Sequence, residues 1–357
     1  MAERPGGTAE APFIQQTDFE KITQLVSAQF QFEESLLENG VPTYYLKLPQ
    51  ETKRAFLNFL KSLEPMNLIA ILRKADGKVV LRVVPKPRVR KSNILVNWAL
   101  LFATIGTTFA TGYILSIGLV GTTPLVGAVS FTAAIMAILG THEMGHKLTA
   151  NKNGVEATPP YFIPGPPPIG ELLGIGTFGA VIMQKSLPRN RDALFDVGSS
   201  GPIVGFIIAL IATIVGLMIS PIRPITGNES FLPAPLIFDL LATFLIKLPA
   251  NHYISLHPVA FAGWAGMLVT MLNLLPAGQL DGGHAARSVL GEKTRTVLAV
   301  LSVLLLVIEG FWPMAFFVVL MLMYRDPGPL DDVSGLSNGR KLLAIGLVAI
   351  FILCSFL

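Results

Sequence analysis

Beyond residue 93 the chain reads as long apolar runs divided by short polar breaks, whereas the residues before it mix the two kinds of position. Residues 18–30 (DFEKITQLVSAQF) and 49–63 (PQETKRAFLNFLKSL) repeat apolar positions three and four apart, which predicts amphipathic helices. TYYLKL, NLIAILRK and VVLRVVP read as short strands, the last two joined by a turn at Asp76-Gly77. These elements predict a small α+β domain over residues 17–91. Ahead of it, MAERPGGTAEAP has no apolar core and no Arg-rich pattern, so residues 1–16 are expected to be a disordered leader rather than a targeting signal. The domain carries no nucleotide-binding or catalytic signature, which leaves a structural or regulatory role.

KPRVRKS marks the passage to lipid, and the rest, residues 92–357, is the membrane part. A span needs about 20 apolar residues. By that measure residues 94–119, 125–148, 198–219 and 258–275 are spans, 297–323 is one long span or two short ones around Gly310 and Pro313, and 342–357 is a last, short one. PLIFDLLATFLIKL, with Asp239 and Lys247, is too short to cross and predicts an interfacial amphipathic helix. The fold class expected is an α-helical polytopic membrane protein of about six to eight membrane segments with a small N-terminal α+β soluble domain.

Composition agrees: 52% of the 357 residues are hydrophobic and 14% charged, against about a quarter charged in a soluble domain. Mean hydropathy is +0.59. The net charge of +4 therefore marks the flanks of spans and is no sign of a nucleic-acid partner. Lys86, Arg88, Arg90 and Lys91 precede the first span, which puts the N-terminal domain in the cytoplasm. Lys147, Lys152, Lys185, Arg189, Arg191, Arg287, Lys293 and Arg295 then fall on the same side, and only Arg223 and Lys247 lie between the third and fourth spans. Arg325, Arg340 and Lys341 favour a cytoplasmic loop as well, hence two crossings within 297–323. The expected location is a multi-pass integral protein of a prokaryotic cell membrane. The one cysteine, Cys354, excludes an internal disulfide.

The second span ends in HEMGH. His142 and His146 are four apart, so on a helix they share a face and reach one Zn²⁺. Glu143 is placed to take a proton from activated water rather than to bind metal. Such a motif also arises by chance, but ionisable groups cost about 2.5–3.5 kcal/mol each at mid-bilayer on insertion scales, and a bound dication compensates them. A tetrahedral zinc with one open position wants a third protein ligand. Glu156 and Glu171 are poorly placed in Gly/Pro-rich stretches. Asp281 in NLLPAGQLDGGH lies just past the fourth span on the same side as the histidines, and Pro276, Gly278, Gly282 and Gly283 let the backbone bend its carboxylate inward. The bland alternative is a solvated Asp capping a helix that begins near Gly283. His252 and His257 lie across the membrane. His284 reads as a helix-start residue or as an orienter of Asp281, and Glu309 is an acid within a span, with no evident partner.

HEMGH ending one span and NLLPAGQLDGGH ending a later one resemble the site-2 protease family of intramembrane zinc metalloproteases, peptidase family M50, in the branch with plastid and archaeal members. SSGPIVGF (199–206) is similar to the family's Gly-Pro entry into its middle core helix, and GIGTFGAVI (174–182) to its glycine-rich hairpin. The core motifs thus fall in 125–295. The resemblance implies metal ligands His142, His146 and Asp281 for one Zn²⁺ per chain, Glu143 as catalytic base, and Asn273 as support of the transition state. A buried amide is able to donate to an oxyanion without adding charge; the alternative for Asn273 is an interhelical hydrogen bond. Peptide cleavage needs an extended backbone, and a glycine-rich strand edge at Gly174, Gly176 and Gly179, with Phe178 packing on the substrate, would pair with an unwound transmembrane segment. The same glycines would also serve a tight turn.

The activity expected is cleavage of peptide bonds within or near the transmembrane segments of membrane proteins lodged in the same lipid bilayer. The alternative is a membrane metal-binding protein or transporter, which would need polar groups lined through the full membrane thickness; the first and third spans are nearly free of them.

Overall fold

The computed structural model describes residues 16–87, 92–170, 174–227, 229, 231–323 and 327–356. Its packing divides the chain into two units, one comprising the chain to Arg88 with Pro329–Gly335, the other Val89–Gly328 with Leu336–Leu357. Apart from Gln16, the expected leader falls outside the described residues, as do Glu171, Arg88, Arg90, Lys91 and Arg325.

In the first unit the chain forms α1 (Gln16–Ser27), β1 (Phe32–Glu38), β2 (Val41–Leu46), α2 (Lys53–Leu63), β3 (Leu68–Ala75) and β4 (Lys78–Pro85). The sheet order is β1-β2-β4-β3, antiparallel throughout. Ile22, Val26, Phe56, Phe59 and Leu63 of the helices and Tyr44, Leu72, Leu81 and Val83 of the strands are among its fully buried side chains. Asp76 and Gly77 take φ of +48° and +80°, the left-handed pair of a two-residue hairpin, which Asp-Gly favours. Strand β1 was not among the expected elements. Its sequence, FEESLLE, forms an edge strand with an irregular register near Phe32 and no fully buried residue, and its apolar positions do not alternate along the chain.

Pro329–Gly335 joins this unit from far along the chain. The Leu72 amide donates to the Leu330 carbonyl at 2.8 Å and the Asp332 amide to the Leu72 carbonyl at 3.2 Å, which covers the outer edge of β3. Arg73 Nη1 donates to the same Leu330 carbonyl at 2.8 Å, and the hydroxyls of Thr52 and Ser334 pair at 2.9 Å. Asp331, fully buried, accepts at Oδ1 from the amides of Val333 and Ser334, 2.9 Å each. A bare strand edge invites foreign pairing; here the chain covers its own.

The second unit contains α3 (Ile94–Leu115), α4 (Pro124–Lys152), β5 (Tyr161–Pro164), β6 (Thr177–Val181), α5 (Arg191–Met218), β7 (Ile222–Pro224), α6 (Leu236–Leu245), β8 (His252–Ile254), α7 (Pro258–Leu274), α8 (Asp281–Val289), α9 (Glu292–Ile308), α10 (Trp312–Met323) and α11 (Asn338–Cys354). Helices α3, α4 and α5 are long and apolar enough to cross a membrane; α6, α7 and α10 are shorter apolar helices. Helix α6 falls within the stretch expected to be interfacial. The 297–323 region resolves into two helices, because Gly310 takes φ +79° between α9 and α10. Glu309 stands at the C-terminal end of α9, exposed, at the turn into α10.

Helices α4, α5 and α7 form the core, where Phe131, Ile135, Ile138 and Leu139 meet Ala209, Ala212, Phe261, Trp264, Met267 and Met271. Small residues let these backbones approach: a Cβ at Gly266 would stand 2.9 Å from Ala209 Cβ and 3.0 Å from Ile138 Cγ2. Helix α11 is tied to the start of α5 by Arg340, whose guanidinium donates to both Asp196 carboxylate oxygens at 2.6 Å and to Asp192 at 3.0 Å.

Asp331→Ala removes the acceptor that shapes the strand-covering segment, at a cost of about 1–3 kcal/mol for the stranded amides. The Leu72 amide is expected to exchange with deuterium roughly tenfold faster or more, while amides in α4 and α5 keep their rates. Unchanged exchange at Leu72 would show that the segment does not protect β3.

Candidate metal centre

The C-terminal half of α4 carries HEMGH, and its helical pitch turns His142 and His146 onto one buried face with ring centroids 4.8 Å apart. The third group arrives from a turn. After Leu274 the helix stops at Pro276, Gly278 takes φ +56°, and α8 begins at Asp281. Gly282 and Gly283 lie so close to the carbonyls of Leu274 and Gly278 that neither has room for a Cβ. The start of α8 is thereby folded back onto the end of α7, and the Asp281 carboxylate swings toward α4.

Asp281 Oδ2 stands 3.2 Å from His142 Nε2 and 3.2 Å from His146 Nε2, and the two Nε2 atoms are 3.1 Å apart. Among the described residues these three form the cluster of side chains able to hold a metal ion, with both histidines buried and Asp281 half-buried. A carbonyl only accepts, so the 2.6 Å contact between His146 Nδ1 and the Val197 carbonyl puts that ring's proton on Nδ1 and leaves the Nε2 lone pair facing the cluster. Two imidazole nitrogens and an anionic oxygen aimed at one point call for a cation between them. Zinc bonds of about 2.0–2.2 Å in a tetrahedron space neighbouring ligands about 3.4 Å apart, so the observed triangle is near the face such an ion requires.

Glu143 is buried with its Oε1 3.9 Å from His142 Nε2, beside the triangle and outside it. Its carboxylate meets the backbone amide of Ile182, the residue after β6. Asn273, in the last turn of α7, brings Nδ2 to 3.5 Å from His142 Nε2. All five expected polar residues of the site are thus brought together. Glu156 is engaged elsewhere through its backbone, with its amide on Ser186 Oγ and its carbonyl on the Lys185 amide. His257 caps α7 at the other end of the helix, accepting from the Val259 amide at Nδ1, and His284 lies in the first turn of α8.

Strands β5 and β6 make a two-stranded hairpin with Tyr161 opposite Val181 and Ile163 opposite Gly179. Gly174 packs against the carbonyls of Pro166 and Pro167, and Gly176, at φ +76°, packs against Thr107 and Thr111 of α3, its carbonyl accepting from Thr107 Oγ1 at 2.6 Å. These two glycines build the turn. Gly179 (φ +100°) has open space where a Cβ would stand, and the Phe178 side chain beside it is 73% exposed. No strand pairs with the outer edge of β6 among the described residues.

Four residues at the site are not among those the sequence predicts. The carbonyl of Val197 and the amide of Ile182 act through the backbone, so no side chain advertises them. Gly201 and Gly205, which lie against the two imidazoles, were legible as two glycines four apart in SSGPIVGF.

Comparison with known proteins gives the family. The sequence model of peptidase family M50 matches residues 130–308. "Probable zinc metalloprotease EGY2, chloroplastic" from Arabidopsis thaliana is 33% identical over 225 residues, which are 60% of this chain and 39% of that protein. "Probable zinc metalloprotease EGY1, chloroplastic" from the same plant is 28% identical over 243 residues, 64% of this chain and 43% of that protein. The chain thus spans about two fifths of the length of the curated relatives it matches. Among solved structures, the site-2 protease from Methanocaldococcus jannaschii aligns with 70% of this chain and 88% of its own at 17% identity, with a TM-score of 0.29. The matched family segment takes in half of the chain and every residue of the polar cluster, from HEMGH to Asp281, and the chain belongs to peptidase family M50.

Proposed function

We propose that this protein is an intramembrane zinc endopeptidase in which His142, His146 and Asp281 hold one Zn²⁺, Glu143 is the catalytic base and Asn273 stabilises the oxyanion. The observation that carries the reading is the triangle of ligand atoms with 3.1–3.2 Å edges, with a buried carboxylate beside it that is left free for proton transfer. A zinc ion held there supplies Lewis acidity, polarising the scissile carbonyl and lowering the pKa of water to about 7. Glu143 accepts the proton of the attacking water on a carboxylate oxygen and returns it to the departing amine. Asn273 Nδ2 donates to the carbonyl oxygen as negative charge gathers on it, and loss of such a donor costs about 10²–10³ in rate.

The free outer edge of β6, with Phe178 and Gly179, is the proposed seat for an extended substrate. The Ile182 amide on Glu143 supports this, because it sets the end of that edge beside the base. Gly174 and Gly176 hold the hairpin turn. His142 lies ten residues before the end of α4, about 15 Å along a helix, so substrates are transmembrane segments that enter from the bilayer and unwind. A transporter reading is less well supported: on α3 the hydroxyls of Thr108 and Thr111 bond to carbonyls of their own helix, and that of Thr107 to its own helix and to the Gly176 carbonyl.

The proposed topology has six to eight crossings, with residues 17–91 as a cytoplasmic domain and 92–357 as the membrane protease domain. Because Pro329–Gly335 belongs to the same unit as the N-terminal sheet, the chain between them crosses an even number of times. Helices α3, α4, α5, α7, α9 and α10 supply those crossings and α11 adds a seventh. Basic residues at the site end support a cytoplasmic position for that end. The proposed host is a prokaryotic cell membrane; "chloroplastic" is said of the plant relatives alone.

Glu143→Gln is expected to keep one zinc per chain by metal analysis while abolishing cleavage of a membrane-anchored reporter, and Asp281→Ala to lose both; cleavage by Glu143→Gln would reject the base assignment. For the topology, Glu33→Cys and Gly335→Cys, each in a Cys354→Ser background, are expected to react with an impermeant thiol reagent from the same side of sealed vesicles. Labelling from opposite sides would overturn the even crossing count.

A further inference from the structure

Helix α5 contributes no side chain to the metal cluster, yet it lies against both imidazoles. His146 bridges one turn of it: Nδ1 sits 2.6 Å from the Val197 carbonyl, and Nε2 lies over Gly201 so closely that a Cβ there would overlap the nitrogen itself. One turn further on, a Cβ at Gly205 would stand 2.9 Å from His142 Nδ1 and 3.2 Å from its Cβ. One turn earlier, a Cβ at Gly198 would stand 3.1 Å from the Asp281 carbonyl. Helix α4 answers with a glycine of its own, since a Cβ at Gly145 would meet the Ser200 carbonyl at 2.9 Å. Pro202 lacks an amide, so the helix wall here also lacks the hydrogen bond that would run back to Gly198.

We infer that Gly201 and Gly205 are positioning residues, forming a side-chain-free seat on α5 that sets both imidazoles at the spacing one metal ion demands. The inference rests on the metal reading above. The His146 ring has no simple escape, because its Nδ1 is pinned to Val197 and the residue is buried. Metal–ligand distances tolerate about 0.2 Å, and an added methyl at Gly201 forces a larger shift of the ligand atom than that. At Gly205 the methyl would press on the back of the His142 ring, away from Nε2, so the disturbance is smaller. The two positions therefore predict a graded effect on the ion, with the larger one at Gly201.

Gly216 provides the control. It lies on the same helix, where a Cβ would collide with the Ala260 backbone of α7, remote from the cluster. The full-length protein, stripped of metal, is titrated with Zn²⁺ against a competing chelator, and with Co²⁺ to read the ligand-field spectrum. Gly201→Ala is expected to lose more than 100-fold in Zn²⁺ affinity and to alter the Co²⁺ bands. Gly205→Ala is expected to lose about tenfold, in the range of other groups that orient a ligand. Gly216→Ala should lower Tm with the Zn²⁺ affinity and spectrum of the unaltered protein. Wild-type affinity in Gly205→Ala or Gly201→Ala overturns the inference, and if Gly201→Ala does not fold, Gly205→Ala decides alone. Unaltered protein that takes up no Zn²⁺ overturns the metal reading and this inference with it, a result distinct from normal uptake by both glycine variants.

Discussion

Bringing two imidazoles and a carboxylate to within 3.2 Å of one another inside an apolar bundle is the constraint to which the rest of the second unit answers. Each group is costly to bury alone, and they repel or compete unless a cation or proton sits among them. The helices that carry them must also come unusually close, because an imidazole reaches only a few ångströms from its backbone. Glycines meet that demand: Gly145 on α4 lies against Ser200, and Gly201 and Gly205 on α5 leave the volume that the two rings occupy.

The third group of the cluster, Asp281, shows the same logic in irregular backbone. Leu275 and Ala277 of the turn from α7 to α8 are buried, and Gln279 is exposed. Gly278 adopts the left-handed conformation, and Gly282 and Gly283 press against carbonyls of the preceding helix. The turn thus spends its glycines on close approach, and the result is a carboxylate aimed back at α4. Across the site, the β5–β6 hairpin leaves one edge of β6 unpaired among the described residues and carries it to the Glu143 carboxylate. That edge of the hairpin keeps unspent amides and carbonyls.

The last third of the chain serves two ends. Arg340 binds Asp192 and Asp196 and fastens α11 to the beginning of α5, the helix that lies against both imidazoles. Between α10 and α11 the chain contributes Pro329–Gly335 to the N-terminal unit, where they cover the edge of β3. A domain described by sequence order alone therefore omits seven residues that its sheet requires for a closed edge.

Periodicity, charge and motif spacing carried much of this protein on their own. The long apolar runs of α3, α4 and α5, the amphipathic α1 and α2, the Asp76-Gly77 hairpin and the four-residue spacing of His142 and His146 are all local patterns, set by what neighbouring residues do to one backbone. Acid-rich β1 and the cover on β3 depend on partners distant in sequence, and no local pattern encodes them. The same divide runs through the site. Asp281 was readable because a carboxylate is a chemical signal, whereas the Val197 carbonyl and the Ile182 amide have no side chain to read, and the spacing of Gly201 and Gly205 shows in the sequence without saying what lies against them. They matter through where the folded helices place them, and only tertiary packing decides that.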